Sequence, residues 1–488
     1  MEPDVDQHYE AYVNGSWIEG IGTVSVVDPA TEDELATVVE GGEPAMNAAI
    51  EAASASLEGW RGIDATERGR TLRSVVDALR AESDRLARIE TAEVGRPLRE
   101  SRGIVTDAID YFEYYAGMAD KIEGETIPVP GDRLDYTRRE PLGVTGHVIP
   151  WNAPSILAAR SIAPALAAGN TVVAKPAPEA PIALLELARI ATDAGLPPGV
   201  LNMVPGDGPR TGEALTLDDR VDKLVFTGSK AVGKHVMKMA ADNVTPVGLE
   251  LGGNNPCLVF PDASLDGVVD DLLKAYINAG QVCFAPRRVF VHESISDDLV
   301  DRLVSRVSEM TVGPGVENPD VGPLIHEEAR RSVADAVAEA VDDGARLLTG
   351  GERPRDEGYF YAPTVLDGVD DDARLACEEV FGPVLSAFEF SDEASAVERA
   401  NDTEFGLYAA VYTSTLERAH RVANELEAGS IAINGYPATF PQAPFGGYKE
   451  SGLGREKGQQ AIDHYTQLKN VTVTLGDAPG AGFEKSRE

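Results

Sequence analysis

Between residues 144 and 260 the chain alternates short runs rich in Val and Ile with helix-like segments, and no other feature constrains the fold as strongly. VTGHVIP is followed by a helical stretch at 154–168, TVVAKP by one at 180–193 and KLVFTGS by one at 230–241, while VLNMVPG, TPVGLELGG and PCLVF read as further strands. Continuous apolar strands separated by crossover helices predict a parallel sheet covered on both faces. In such sheets ligands bind in the crevice at the carboxyl ends of the strands, so a dinucleotide site is expected there.

Residues 45–122 upstream read as mostly helical, from apolar positions spaced three and four apart. Beyond 264 the alternation resumes. Helices are expected at 264–279, 294–311, 325–343, 393–400 and 415–427, between the strands RRVFVHE, ARLLTG, LYAAVYTS and GSIAING. With 488 residues there is material for more than one core, and two α/β domains of similar weight are the economical reading. Two segments, LDYTRRE near 134–140 and LKNVTVTL at 468–475, look like strands of neither repeat and are expected to pair with another subunit. The last dozen residues read as a loose tail.

Acidic residues number 81 against 43 basic ones, giving a net charge of −38. That surplus argues against nucleic acid or an anionic membrane as partner, since both require a basic face. Arg dominates the basic residues, and an acidic, Lys-poor surface fits a halophilic cytoplasm where salt screens the self-repulsion. Three cysteines, Cys257, Cys283 and Cys377, make neither a disulfide framework nor a zinc cluster, so a reducing, cytoplasmic setting without a metal is expected. The acidic start MEPDVDQHYE is no secretory leader, and residues 153–169, broken by Arg160 and Pro164, are too short to span a bilayer.

Chemistry is concentrated in a few places. GQVC at 280–283 follows a helical segment; a lone cysteine is more often a small buried hydrophobe than a nucleophile, and its company decides the matter. Glu250 in LELGG lies between two leucines, where a carboxylate must be paired or must carry a raised pKa that suits it to act as a base. A Cys and a Glu together supply a nucleophile and a group to activate water. Asn152 in PWN could donate its amide to a developing oxyanion, or simply sit in a turn. FTGSKAVG follows a strand and opens a helix, so the amides of Gly228 and Ser229 point where a pyrophosphate could sit. Lys175 is a cation at a strand's carboxyl end, and GDG at 206–208 lacks the spacing of a dinucleotide fingerprint.

LELGG, GQVC, PWN, FTGS, EEVFGPV at 378–384 and PFGGYKESGLGRE at 444–456 stand in the order and spacing of the aldehyde dehydrogenase superfamily, which the chain resembles over roughly residues 10–475. The resemblance implies two Rossmann-like domains, a cofactor-binding one from 1–121 and 142–252 and a catalytic one from 253–445. Segments 122–141 and 466–488 would supply a small β oligomerisation element and tail, in a homodimer or homotetramer. It implies Cys283 as nucleophile, Glu250 as general base, and Asn152 with the Cys283 amide as oxyanion hole. Lys175, Gly228, Ser229, Glu379, Phe381 and Trp151 would bind NAD or NADP, and Glu456 would be a second carboxylate in a proton relay. The implied reaction is thiolate attack on an aldehyde, hydride transfer, and hydrolysis of a thioester.

Three departures from the family pattern bear on this. The gap from Glu250 to Cys283 is one residue shorter than is common, which suggests a shortened intervening helix. Pro178 stands where many NAD-preferring members carry a ribose-binding Glu, with Glu179 one place late, so NADP is permissible although NAD is favoured. Arg160 occupies a position where succinate semialdehyde and some aromatic aldehyde dehydrogenases carry Arg. It could fork onto a substrate carboxylate or form only a helix-surface ion pair. Ile277 replaces the second Arg of semialdehyde enzymes, Ala153 leaves room after PWN, and Tyr436 and Phe440 are expected at the mouth. A carboxylated semialdehyde and an aromatic aldehyde are both open substrates. CoA-acylating relatives lack the base that Glu250 supplies, and non-catalytic relatives tend to lose the nucleophile that Cys283 supplies.

Overall fold

The structure, a computed structural model, describes residues 5–436 and 440–475. Two large sheets organise the chain. The first runs, edge to edge, Gly452–Leu453, Val247–Glu250, Lys223–Thr227, Val144–Ile149, Thr171–Pro176, Leu201–Met203, Ala11–Val13 and Ser16–Ile18. Its five central strands are parallel, and the three short edge strands are antiparallel. The chain leaves Val144–Ile149 in one direction and later returns to its other side with Lys223–Thr227, so strand order reverses between these two. A crevice opens at such a reversal. Trp151 and Asn152 emerge from one of the bordering strands, Gly228 and Ser229 from the other.

Why these segments form strands is visible in their burial: Thr171–Pro176 is buried at every position, as a central strand covered on both faces must be. The helix Pro154–Ala168 is apolar nearly all round and is enclosed, with Pro164 in its interior. It packs against Leu98–Ala116, one of four helices that fill residues 42–116 as expected.

The second sheet runs Arg346–Thr349, Thr364–Asp367, Val384–Phe390, Pro286–His292, Asn255–Val259, Tyr408–Tyr412 and Ser430–Ile433, all parallel except the first. Here the sequence expectation needs correcting. PCLVF, grouped with the first repeat by alternation alone although the resemblance implies a second domain from 253, lies in the second sheet, because the turn at 251–254 carries the chain across from one sheet to the other. The strands Thr364–Asp367 and Val384–Phe390 and several short strands before residue 41 were not anticipated either.

The helix expected at 264–279 is α-helical only over Leu265–Leu272. It tightens into a 3-10 stretch and then leaves helical geometry at Ile277, with Asn278 and Ala279 in the left-handed region. The segments near 134–140 and 468–475 pair with each other: Arg133–Pro141 and Thr466–Thr474 form an antiparallel ladder of nine residues, extended by Thr126–Ile127. The tail at 476–488 lies outside the described residues.

Candidate active site

Cys283 sits in the loop between the tightened stretch and the strand Pro286–His292, and three buried side chains fix that loop. Asn255 Nδ2 donates to the Cys283 carbonyl (3.0 Å) and to the Ala285 carbonyl (2.8 Å), while its Oδ1 accepts from Tyr408 N (3.1 Å). Gln281 Oε1 accepts from Ile325 N (2.9 Å), and its Nε2 donates to Asn278 O (3.0 Å). The buried Arg287 guanidinium donates to Gly382 O (2.6 Å) and to Gly280 O. Gly280 has φ +73°, and a Cβ there would be driven into the Gly382 carbonyl, so this corner admits only glycine. Buried backbone groups must be paired, and here the pairing also sets where the thiol points.

Asn152 lies in the turn between Val144–Ile149 and Pro154–Ala168. Its Nδ2 donates to Gln281 O (3.0 Å), and its own carbonyl accepts from Asn278 Nδ2 (2.9 Å) and from Arg96. An amide NH2 has two hydrogens; one is committed to Gln281, which orients the other. Asn152 and Cys283 line one cavity of about 310 Å³, walled largely by apolar side chains such as Ile156, Leu157 and Phe284. That volume suits a small molecule.

Arg160, in the helix Pro154–Ala168, reaches the same cavity but does not present a free guanidinium to it. Its Nε pairs with Glu456, and its Nη2 lies 3.9 Å from Glu250 Oε2. All three side chains are buried, so the ion pair left open by the sequence exists, in the interior and not on a helix surface. Arg160 Nη2 and Glu456 Oε1 are buried and have no hydrogen-bond partner among the described residues.

Burial dominates the protonation of this centre. It pushes the Cys283 thiol up to about 12, Arg160 acting in the opposite direction. Glu250 is raised well above the usual carboxylate range by burial and by the nearby Glu456, with Arg160 opposing. Glu379 is raised to about 7 by burial, against the pull of Arg287.

The groups expected at a cofactor lie along the switch-point crevice. Ser229 caps the helix Lys230–Ala240, accepting from Val232 N at 3.4 Å; the Gly228 amide, expected to point at a pyrophosphate, is instead spent on Glu250 O (3.0 Å), pairing the two neighbouring strand ends. A Cβ at Gly233 would stand 2.5 Å from Leu251 Cδ2, so this glycine lets the helix approach the strand closely and brings its N-terminus to the crevice. Lys175 is buried; its Nζ donates to Pro176 O (2.8 Å) and Gly206 O (2.9 Å), and burial lowers its pKa to about 8. Glu379 accepts from Gly253 N (3.1 Å), and Phe381 meets Trp151 edge-on at 5.7 Å. A helix N-terminus, a buried ammonium and a carboxylate along strand ends fit a dinucleotide's pyrophosphate and riboses.

Of the residues expected at the substrate mouth, Tyr436 lines the cavity and donates its hydroxyl to Phe284 O. Phe440 is 57% exposed and is not part of the cavity lining. Pro437–Thr439, between them, lie outside the described residues. Sequence reasoning missed Asn255, Gln281, Arg287, Gly233 and Lys457; the nearest signals were Gln281 inside GQVC and the glycine ending FTGSKAVG. Among the described residues no group of three or more His, Cys, Asp and Glu side chains is placed to hold a metal ion, and no helix is long and apolar enough to cross a membrane.

Comparison with known proteins agrees with this geometry. The aldehyde dehydrogenase family model matches residues 17–471. A betaine aldehyde dehydrogenase of Bacillus subtilis is 41% identical, covering 94% of this chain and 96% of the relative. The NAD+ complex of an aldehyde dehydrogenase from Bacillus cereus superposes with a TM-score of 0.95 at 38% identity, over 96% of this chain and 97% of that one. An E. coli NADP dependent enzyme gives a TM-score of 0.95 at 39% identity, over 96% and 98%. The chain belongs to the aldehyde dehydrogenase family, the NAD(P)-dependent oxidoreductases that act on aldehydes.

Proposed function

We propose that this protein oxidises an aldehyde to its carboxylic acid through a thioester on Cys283, hydrolysed with Glu250 as base. The observation that carries the reading is the buried cluster of Glu250, Arg160 and Glu456 behind the cavity that holds Cys283 and Asn152. The Cys283 thiolate adds to the carbonyl carbon. The resulting oxyanion takes hydrogen bonds from the second Asn152 Nδ2 hydrogen and the Cys283 amide. When bound, NAD(P) supplies the acceptor for the hydride that leaves the tetrahedral carbon. Glu250 then removes a proton from water attacking the thioester, and Arg160 holds Glu250 and Glu456 in register without itself giving up a proton.

On the cofactor side, Lys175 serves the adenosine ribose, Gly228 and Ser229 the pyrophosphate, Glu379 the nicotinamide ribose, and Phe381 and Trp151 the ring. NAD is favoured and NADP accommodated, since Pro178 places no carboxylate against a 2′-phosphate. The two sheets are read as a cofactor-binding domain (1–121 and 142–252) and a catalytic domain (253–445). The ladder of 133–141 and 466–474 is read as the contact of a homodimer or homotetramer, and three unpaired cysteines support a cytoplasmic setting. The substrate is a carboxylated or an aromatic aldehyde.

The test is NAD(P)H formation over a panel of aldehydes with each cofactor, at low and molar salt. Turnover lost in Cys283→Ala with cofactor binding retained is the expected result; no turnover of any aldehyde by the wild type would refute the reading.

A further inference from the structure

The cavity beside Cys283 contains several cations, and nearly all are already neutralised. Arg160 is held by Glu456 and Glu250, Arg96 by Glu90 at 3.2 Å, and Lys274 by Asp271 at 2.7 Å. Lys457 differs. It lines the cavity, is 3% exposed, and among the described residues has no carboxylate within ion-pair distance and no hydrogen-bond acceptor. Its Nζ stands 4.5 Å from the Phe445 ring centroid and 5.7 Å from that of Tyr111. Ring faces steady an ammonium while leaving its charge uncancelled and its hydrogens unspent.

The backbone is committed to this placement. Phe445 and Glu456 exchange a pair of hydrogen bonds of 2.7 Å each, and the next residue, Lys457, takes φ +63°. A long side chain in the left-handed region is strained and stays there only because its surroundings hold it. Glu456 thereby goes to Arg160 while its neighbour lines the cavity. Burial and the neighbouring Arg160 lower the Lys457 pKa to about 7, with Glu456 and Glu250 opposing, so a carboxylate set against it would hold it in the charged form.

We infer that Lys457 is a specificity-determining residue whose ammonium binds an anionic group, a carboxylate, on the far end of the aldehyde substrate. This rests on the reading of Cys283 as the nucleophile and chooses between the two substrate classes left open. It transfers the carboxylate-binding role from Arg160, which the structure occupies otherwise, to a residue the sequence did not single out. Apolar walls carry the body of the substrate, and the ammonium takes its charged end. Two acidic side chains share the lining: Glu100, which accepts from Asn278 N (3.0 Å), and Asp107, exposed at the cavity's edge and within electrostatic reach of Lys457; both oppose entry of an anion.

The experiment compares three probes, 4-formylbenzoate, benzaldehyde and the cationic betaine aldehyde, on wild type, Lys457→Met and Lys457→Gln. For the wild type, kcat/KM is expected to be highest for the carboxylated aldehyde and lowest for the cationic one. In both variants it falls about 100-fold for 4-formylbenzoate, mostly through KM, changes less than about 3-fold for benzaldehyde, and rises for betaine aldehyde. Lys457→Arg should restore part of the loss. Calorimetric binding of 4-methylbenzoate to Cys283→Ala, present with Lys457 and lost on adding Lys457→Met, gives a readout independent of turnover. An equal loss for all three aldehydes, or no wild-type preference for the carboxylate, overturns the inference. In the first case Lys457 serves the fold or the thiolate, and in the second it serves no substrate charge. Oxidation of benzaldehyde would still stand, so failure here is distinguishable from failure of the aldehyde dehydrogenase reading, in which no aldehyde turns over.

Discussion

Single residues decide the chemistry, and at this scale environment matters more than identity. Cys283 and Glu250 are both held in their neutral forms by burial, the thiol at about 12 and the carboxyl well above its usual range. Both act in their charged forms, so activity is expected to rise with pH: each group loses its proton only as pH climbs toward a raised pKa. A pH profile of kcat falling between pH 7 and 9 would contradict this. Replacing Glu250 with Gln should leave acylation nearly intact and slow hydrolysis about 100-fold or more, the usual weight of a positioned base. Stopped-flow measurement would then show a burst of NAD(P)H followed by slow turnover. Cys283, Glu250 and Asn152 were legible because each falls inside a short motif. Lys457 was not: one lysine after GRE carries no sign of burial, and only packing against Tyr111 and Phe445 reveals it.

At the scale of elements, the short turns between strands and helices do the positioning. The stretch Ile277–Gln281 abandons helix, places Asn278 and Ala279 in the left-handed region, and turns on Gly280 toward Cys283. Gly280→Ala would force a methyl into the Gly382 carbonyl at a positive φ, with an expected cost of roughly 3 kcal/mol or more. Thermal denaturation would register the lost stability, and activity should fall further than stability does, because the same corner orients the thiol. The sequence predicted a longer helix here because apolar spacing alone continues to 279; the hydrogen bond from Asn278 N to Glu100 Oε2 at 3.0 Å, across 178 residues, is tertiary information. Alternation alone grouped PCLVF with the wrong repeat for a similar reason. A fully buried parallel strand looks alike in either sheet, and the turn between Glu250 and Asn255 holds the only local hint of a crossing.

Over the whole molecule, charge sets the conditions under which the fold works. A net charge of −38 stresses the compact state by self-repulsion, which salt screens within a few Å at about 1 M. The melting temperature is therefore expected to rise between low salt and molar KCl; a flat or falling curve would remove the case for a halophilic adaptation. The apolar side chains Leu468 and Val473 are exposed on the outer strand Thr466–Thr474, and shortening that strand should reduce the particle mass seen by light scattering. The sequence by itself determined the alternating α/β architecture, the helical region before residue 117, and the motifs bearing nucleophile, base and oxyanion donor, since local periodicity and adjacent residues encode all of these. Which sheet takes each strand, that Arg160 is spent on two carboxylates, and that Lys457 remains unspent were decided only by tertiary structure, because the charge a cavity offers depends on partners hundreds of residues apart.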